Sequence, residues 1–121
     1  MTDSQVLDPG ALARLKEWGG EKLVSQMIRL FLKNSGTRMD QIRKGVAEED
    51  PQESEWGAHS LKSSAANIGA EGLRSLATNV ESASLDKDMD RLRELLPEIE
   101  GAYSVVMAEL GAMEKELPNE S

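Results

Sequence analysis

The residues of this chain best suited to chemistry are its one histidine, His59, and the lysine three positions later, Lys62. A neutral imidazole, with an unperturbed pKa of about 6.5, offers a lone pair at neutral pH. An ammonium one helical turn away can offset negative charge on the group the ring attacks. A single imidazole defeats every scheme that needs two, including the paired Glu-x-x-His ligands of di-metal bundles. The absence of cysteine excludes a thiolate nucleophile, a disulfide framework and Cys-based zinc or iron–sulfur sites. No glycine-flanked serine elbow follows a strand, so hydrolase chemistry finds no support. Nor is there a G-x-x-x-x-G-K-[ST] loop, so the chain is not expected to use ATP by itself. If it faces outward, a lone imidazole is either a solvated surface residue or, with a lysine one turn away, a group suited to accept a phosphoryl group.

Helical spacing turns it outward. At about 100° per residue, Ala58, Leu61, Ala65 and Ile68 gather on one side, which is the side to be buried. His59 falls opposite, alongside Trp56, Ser63, Ala66 and Ala70, with Lys62 and Asn67 on the flanks. Small residues around the ring let another protein's backbone or a phosphate come close. Trp56, one turn before His59, suits a docking anchor, with packing on a neighbouring helix as the alternative. If the helix carrying His59 and the next run antiparallel and turn near Ala70, a residue eleven places after the turn lies level with one eleven before it. That residue is Glu81. Its carboxylate then either fixes the imidazole by accepting Nδ1–H, leaving Nε2 as nucleophile, or is merely solvated on a helix flank.

The elements that position these groups are all helical. Asp8-Pro9 reads as an N-cap and first helical residue; Leu12, Leu15 and Trp18 then form a short apolar edge, and Gly19-Gly20 stops it. From Glu21, the residues Val24, Met27, Ile28, Phe31, Ser35, Ile42 and Val46 share one stripe, predicting a long helix over 21–48 with a weak point at Ser35-Gly36. Glu49-Asp50-Pro51 is a turn, and helices follow over about 52–68, ended by Gly69, and 71–84. A last stripe of Met89, Leu92, Leu96, Ile99, Tyr103, Val106, Leu110 and Met113 carries Pro97, expected to bend its early turns. The methionines Met27, Met89, Met107 and Met113 read as core filler. Four amphipathic helices on short connections predict an all-α, antiparallel four-helix bundle with a short N-terminal capping helix. One domain is expected over 1–121, its core about 7–115, with residues 1–6 and 116–121 as frayed tails.

Composition narrows the partners. Aromatic residues make up 3% of the 121, too few for a sandwich or barrel, and the formal charge of −8 repels nucleic-acid phosphate and anionic lipid alike. No stretch approaches the roughly 18–20 apolar residues that span a bilayer, and the opening Met-Thr-Asp-Ser-Gln lacks the features of a signal peptide. A cytoplasmic protein is expected.

The run from Ala58 to Ala70, AHSLKSSAANIGA, resembles the signature of histidine-containing phosphotransfer (HPt) domains: His-x-Leu-Lys-Gly-Ser, several small residues, then an apolar-Gly-Ala ending. Leu73, Leu76, Val80 and Glu81 resemble the following helix of that family, and the likeness runs from about Leu7 to Met113. The resemblance implies that His59 is phosphorylated, that Lys62 steadies the phosphate, and that Ser63, Ser64, Ala66 and Asn67 belong to a close-approach surface. Ser63 departs from the family's glycine, adding a Cβ and a hydroxyl beside the ring. The implied partners are response-regulator receiver domains and a hybrid sensor histidine kinase. No cofactor is expected in the chain itself, magnesium being supplied by the receiver, and the protein is expected to be a monomer.

Two rivals remain. The phosphoacceptor helices of a sensor kinase also carry a helical histidine, but that family has an acid directly after it and a proline soon beyond. Here Ser60 follows, and no proline stands between Pro51 and Pro97. The other rival is a helical adaptor that binds receivers without accepting phosphate.

Overall fold

The structure, a computed structural model, describes residues 6–117. Its elements are α1 (Pro9–Ala47), α2 (Pro51–Ile68), α3 (Glu71–Leu85) and α4 (Met89–Lys115). Three of the four helices open on an aspartate cap. Asp8 accepts the N–H of Gly10 at 3.0 Å, Asp50 that of Glu53, and Asp88 that of Arg91. Each such cap contributes about 1 kcal/mol. Pro9 and Pro51 occupy first-turn positions, where a missing N–H leaves no bond unmade.

Connections of two or three residues force antiparallel neighbours. Each helix packs on the next in the chain, and α4 packs back on α1, closing the ring. This is the expected four-helix bundle. The core runs through Ile28, Phe31, Met39 and Ile42 of α1, Leu61 and Ile68 of α2, Leu73 and Val80 of α3, and Leu92, Leu95, Ile99 and Leu110 of α4. All four methionines named above are partly buried against it.

The predicted short first helix and its glycine stop take the form of a kink. Gly20 has φ 71° and ψ −167°, a conformation confined in practice to glycine, so α1 is two helical pieces, residues 9–19 and 21–47. The first piece crosses the end of the bundle, where the Asp8 N–H donates to the Gly69 carbonyl at 2.7 Å. Trp18, read from its spacing as part of an apolar edge, is instead 73% exposed. Ala11 and Leu15 are the residues of this piece that reach the core, whereas Trp18, one turn further on the same face, has no neighbouring helix beneath it.

At Ser35-Gly36 the helix continues unbroken: Ser35 is buried and its Oγ lies 3.1 Å from the Tyr103 hydroxyl on α4. Helix α4 likewise runs through Pro97 as one element. Of the tails expected to fray, Val6 and Leu117 are packed against the core; residues 1–5 and 118–121 lie outside the described chain.

Helices α1 and α2 approach closely at Gly57, where a Cβ would stand 2.6 Å from the Arg38 carbonyl oxygen, and at Gly45, where it would meet Ser54. Ser54 itself is fully buried and satisfied by Ser84 on α3 at 2.6 Å.

On the other side of α1, Arg43 donates twice to Glu100 of α4, at 3.0 and 2.7 Å, and holds that carboxyl below the usual carboxylate range. Its stabilisation is therefore complete above the unfolded carboxylate pKa of about 4.3 and is lost as pH falls through the lower folded value. Both side chains are 39% exposed, so solvent screening keeps the effect small. The difference in urea midpoint between wild type and Glu100→Gln is expected to be present at pH 7 and to shrink as acid protonates the carboxylate. A difference unchanged by acid would remove the ion pair as its source.

Candidate functional site

His59 stands at mid-length on α2 with its side chain 62% exposed. The turn at Gly69, in the left-handed region at φ 79°, sends α3 back alongside α2 and brings Glu81 level with it. His59 Nδ1 and Glu81 Oε2 are 2.7 Å apart. A carboxylate only accepts, so the ring nitrogen donates and the proton sits on Nδ1. Nε2 makes no hydrogen bond among the described residues and points its lone pair to solvent.

Lys62 lies one turn along α2, half-buried, and its Nζ donates to the other oxygen of the same carboxylate, Glu81 Oε1, at 2.5 Å. Glu81 thus binds two α2 side chains with its two oxygens, while its own side chain is 14% exposed. Burial pushes its carboxyl up, and the hydrogen bonds and charges of Lys62 and His59 outweigh that, leaving it below the usual range. Antiparallel register accounts for Glu81 standing beside His59. That the same carboxylate also holds Lys62 depends on how closely α2 and α3 pack, which spacing does not give.

Around the ring, Trp56 is 51% exposed, and Ser63, Ala66 and Asn67 are exposed as well. Ser63 Oγ donates back to the His59 carbonyl at 3.4 Å, so the hydroxyl is turned along the helix. Ser64 is half-buried and faces α1.

Ala70, placed by the wheel on the exposed face, is completely buried. The correction has a local cause: Gly69 leaves the helical region, so the 100° increment ends there, and Ala70 turns inward as the first residue of the α3 turn.

A groove on the α1 side of α2, at Ser64, was missed in the sequence. It lies between α1 and α2, walled by Leu30, Phe31, Asn34 and Arg38 on one side and Ser60, Ser64 and Asn67 on the other. The available signal was Leu30, an apolar residue off the buried stripe of α1, which is 52% exposed. Among the described residues there is no group of three or more His, Cys, Asp or Glu side chains that could hold a metal ion, and no helix is long and apolar enough to cross a membrane.

An outward imidazole on a carboxylate that also holds an ammonium is an arrangement that phosphoryl chemistry can use. The model of the Hpt domain matches residues 26–117. The chain belongs to the Hpt domain family. Membership carries a histidine phosphotransfer role in phosphorelays, in which Hpt domains are phosphocarriers and not kinases. Among solved structures, this Hpt chain is similar to histidine-containing phosphotransfer protein B (HptB) from Pseudomonas aeruginosa PAO1, with a TM-score of 0.88 and 22% identity over 96% of this chain and 100% of that one. At that identity the likeness establishes the shared helical fold. No curated protein matches the sequence. The Hpt match begins after the Gly20 kink, so the capping piece, residues 9–19, lies outside the segment matched to the family.

Proposed function

We propose that His59 accepts a phosphoryl group from the aspartyl phosphate of one receiver domain and passes it to the aspartate of another. The observation that carries this reading is the exposed His59 ring with Nδ1 held by Glu81 and Nε2 open to solvent. In the step itself, the Nε2 lone pair forms the N–P bond as the P–O bond to the aspartate breaks and its carboxylate leaves. The proton on Nδ1 stays on the ring, against Glu81. Lys62 offsets charge on the phosphoryl oxygens, and Glu81 orients the imidazole.

Trp56, Ser63, Ser64, Ala66 and Asn67 form the surface on which a receiver sits. Magnesium and the acceptor aspartate come with the receiver, and the phosphoryl group enters the relay from a hybrid sensor histidine kinase. The carrier works in the cytoplasm and as a monomer, the second supported by a bundle that closes within one chain.

The test is transfer from receiver domains of the same cell, labelled at their aspartate in the presence of magnesium. Acid-labile, alkali-stable label is expected on this chain. Failure of every receiver to pass label would overturn the carrier role and leave the adaptor reading. Lys62→Ala is expected to slow transfer by about tenfold or more, the loss of one charge-stabilising contact, while the domain stays folded. An unchanged rate would remove Lys62 from the site.

A further inference from the structure

Glu81 gives one oxygen to His59 Nδ1 at 2.7 Å and the other to Lys62 Nζ at 2.5 Å. Lys62 therefore already has a counter-charge before any phosphoryl group arrives. The bond to Glu81 is its single ion pair among the described residues, and it is largely shielded from water on the Glu81 side. Nδ1 and Nζ stand on the two oxygens of one carboxylate, so the ammonium and the ring are separated by little more than its width and two hydrogen bonds. A lysine on a four-carbon stem can cross that distance by rotamer change alone.

From this arrangement we infer that Lys62 exchanges ion-pair partners, leaving Glu81 for the phosphoryl oxygens when His59 is phosphorylated, so that Glu81 sets how tightly the carrier holds its phosphoryl group. The inference rests on His59 being the phosphoacceptor. Its physical content is a competition. A phosphoryl group on Nε2 brings nearly two negative charges beside an ammonium that Glu81 holds in the resting state. Whatever Lys62 gains at the phosphoryl oxygens is reduced by what it gives up at Glu81.

That reduction suits a carrier, which must release the group as readily as it takes it. A lysine with no resting partner would hold phosphohistidine more firmly and slow its return. Glu81 keeps its bond to Nδ1–H in both states, since that proton stays on the ring throughout, so orientation of the imidazole and restraint of the lysine are separate tasks of one carboxylate.

The competition has a sign that can be measured. If Glu81 restrains Lys62 in the resting state only, the contribution of Lys62 to phosphohistidine stability is partly masked in wild type and unmasked when Glu81 is neutral. Glu81→Gln retains an oxygen that accepts Nδ1–H and removes the charge that holds the ammonium. The effect of Lys62→Met on phosphorylation is then larger in the Glu81→Gln background than in the wild-type one. A lysine that Glu81 merely preorganised would give the opposite order.

The experiment uses the full chain and phosphoramidate as a chemical donor, so that no receiver surface enters. The P–N bond of the donor breaks, ammonia leaves, and the Nε2–P bond forms. Equilibrium phosphohistidine occupancy is measured by phosphorus NMR at fixed phosphoramidate and ammonium concentrations for wild type, Lys62→Met, Glu81→Gln and the double variant. The Lys62→Met penalty is expected to be about three- to tenfold greater with Glu81→Gln than without it, the range of coupling for adjacent charged groups. Equal penalties, or a smaller one in the Glu81→Gln background, would overturn the exchange while leaving the phosphoacceptor role standing. Wild type that takes no more label than His59→Gln would overturn that role and the exchange with it.

Discussion

His59→Gln is expected to abolish phosphoryl acceptance and to leave the bundle intact. Glutamine is helix-compatible, neutral and polar, and the position is 62% exposed on the solvent side of α2, so the change in folding free energy is expected within about 0.5 kcal/mol. Its amide N–H₂ can donate to Glu81 as the ring did, which preserves the α2–α3 contact. What it lacks is a nucleophilic lone pair, because amide nitrogen is delocalised into its carbonyl. Labelled receiver mixed with the variant is thus expected to give no acid-labile, alkali-stable label, against a clear signal for wild type, while the urea midpoints coincide. Label retained on the variant would sink the assignment of His59. Receiver binding is expected to persist, since the surrounding surface of Trp56, Ser63 and Ala66 is unaltered.

The other large effect lies two residues earlier. Gly57→Ala is expected to destabilise the fold by about 1–3 kcal/mol, although alanine favours a helix by up to about 1 kcal/mol over glycine. The added Cβ would stand 2.6 Å from the Arg38 carbonyl oxygen and 2.8 Å from Gln41 Cβ. A carbonyl of α1 cannot yield without moving the helix. Relief therefore requires α2 to shift away from α1, carrying His59 with it relative to Glu81.

The same substitution at Gly101 has the opposite sign. On the exposed face of α4 an added Cβ meets nothing within 4 Å, and the helix gains about 0.5–1 kcal/mol. Urea unfolding of the two variants beside wild type checks the pair. A stabilising Gly57→Ala would show that α1 and α2 are not held at this distance by backbone contact. Phosphotransfer by Gly57→Ala below its unfolding range is expected to be slower, through displacement of the ring and not through loss of any group that touches phosphate.

Much of this protein is legible in one dimension because helices are local. The stripes Ile28, Phe31, Ser35, Ile42 and Leu92, Ile99, Val106, Leu110 repeat at 3.6 residues, and that period fixes which face of each helix is buried. Asp8, Asp50 and Gly69 mark helix ends because their side chain, or lack of one, satisfies or permits the terminal backbone. The outward direction of His59 follows from the same period, given Ala58, Leu61 and Ala65 on the inner side. Even Glu81 was within reach, since a two-residue turn at Gly69 and Ala70 makes antiparallel register a matter of counting.

What the tertiary structure alone decided begins where the helical increment stops or where a distance between helices matters. Ala70 is buried because Gly69 rotates the chain out of register. Trp18 is exposed because the face it shares with Ala11 and Leu15 runs past the neighbouring helices by its last turn. The wall that Leu30, Asn34 and Arg38 add beside α2 depends on which faces of α1 and α2 meet, and Gly57 sets how close they come. The joint hold of Glu81 on His59 and Lys62 depends on the α2–α3 gap to within the length of a hydrogen bond. Periodicity states which way a side chain points; only packed helices state what it meets there.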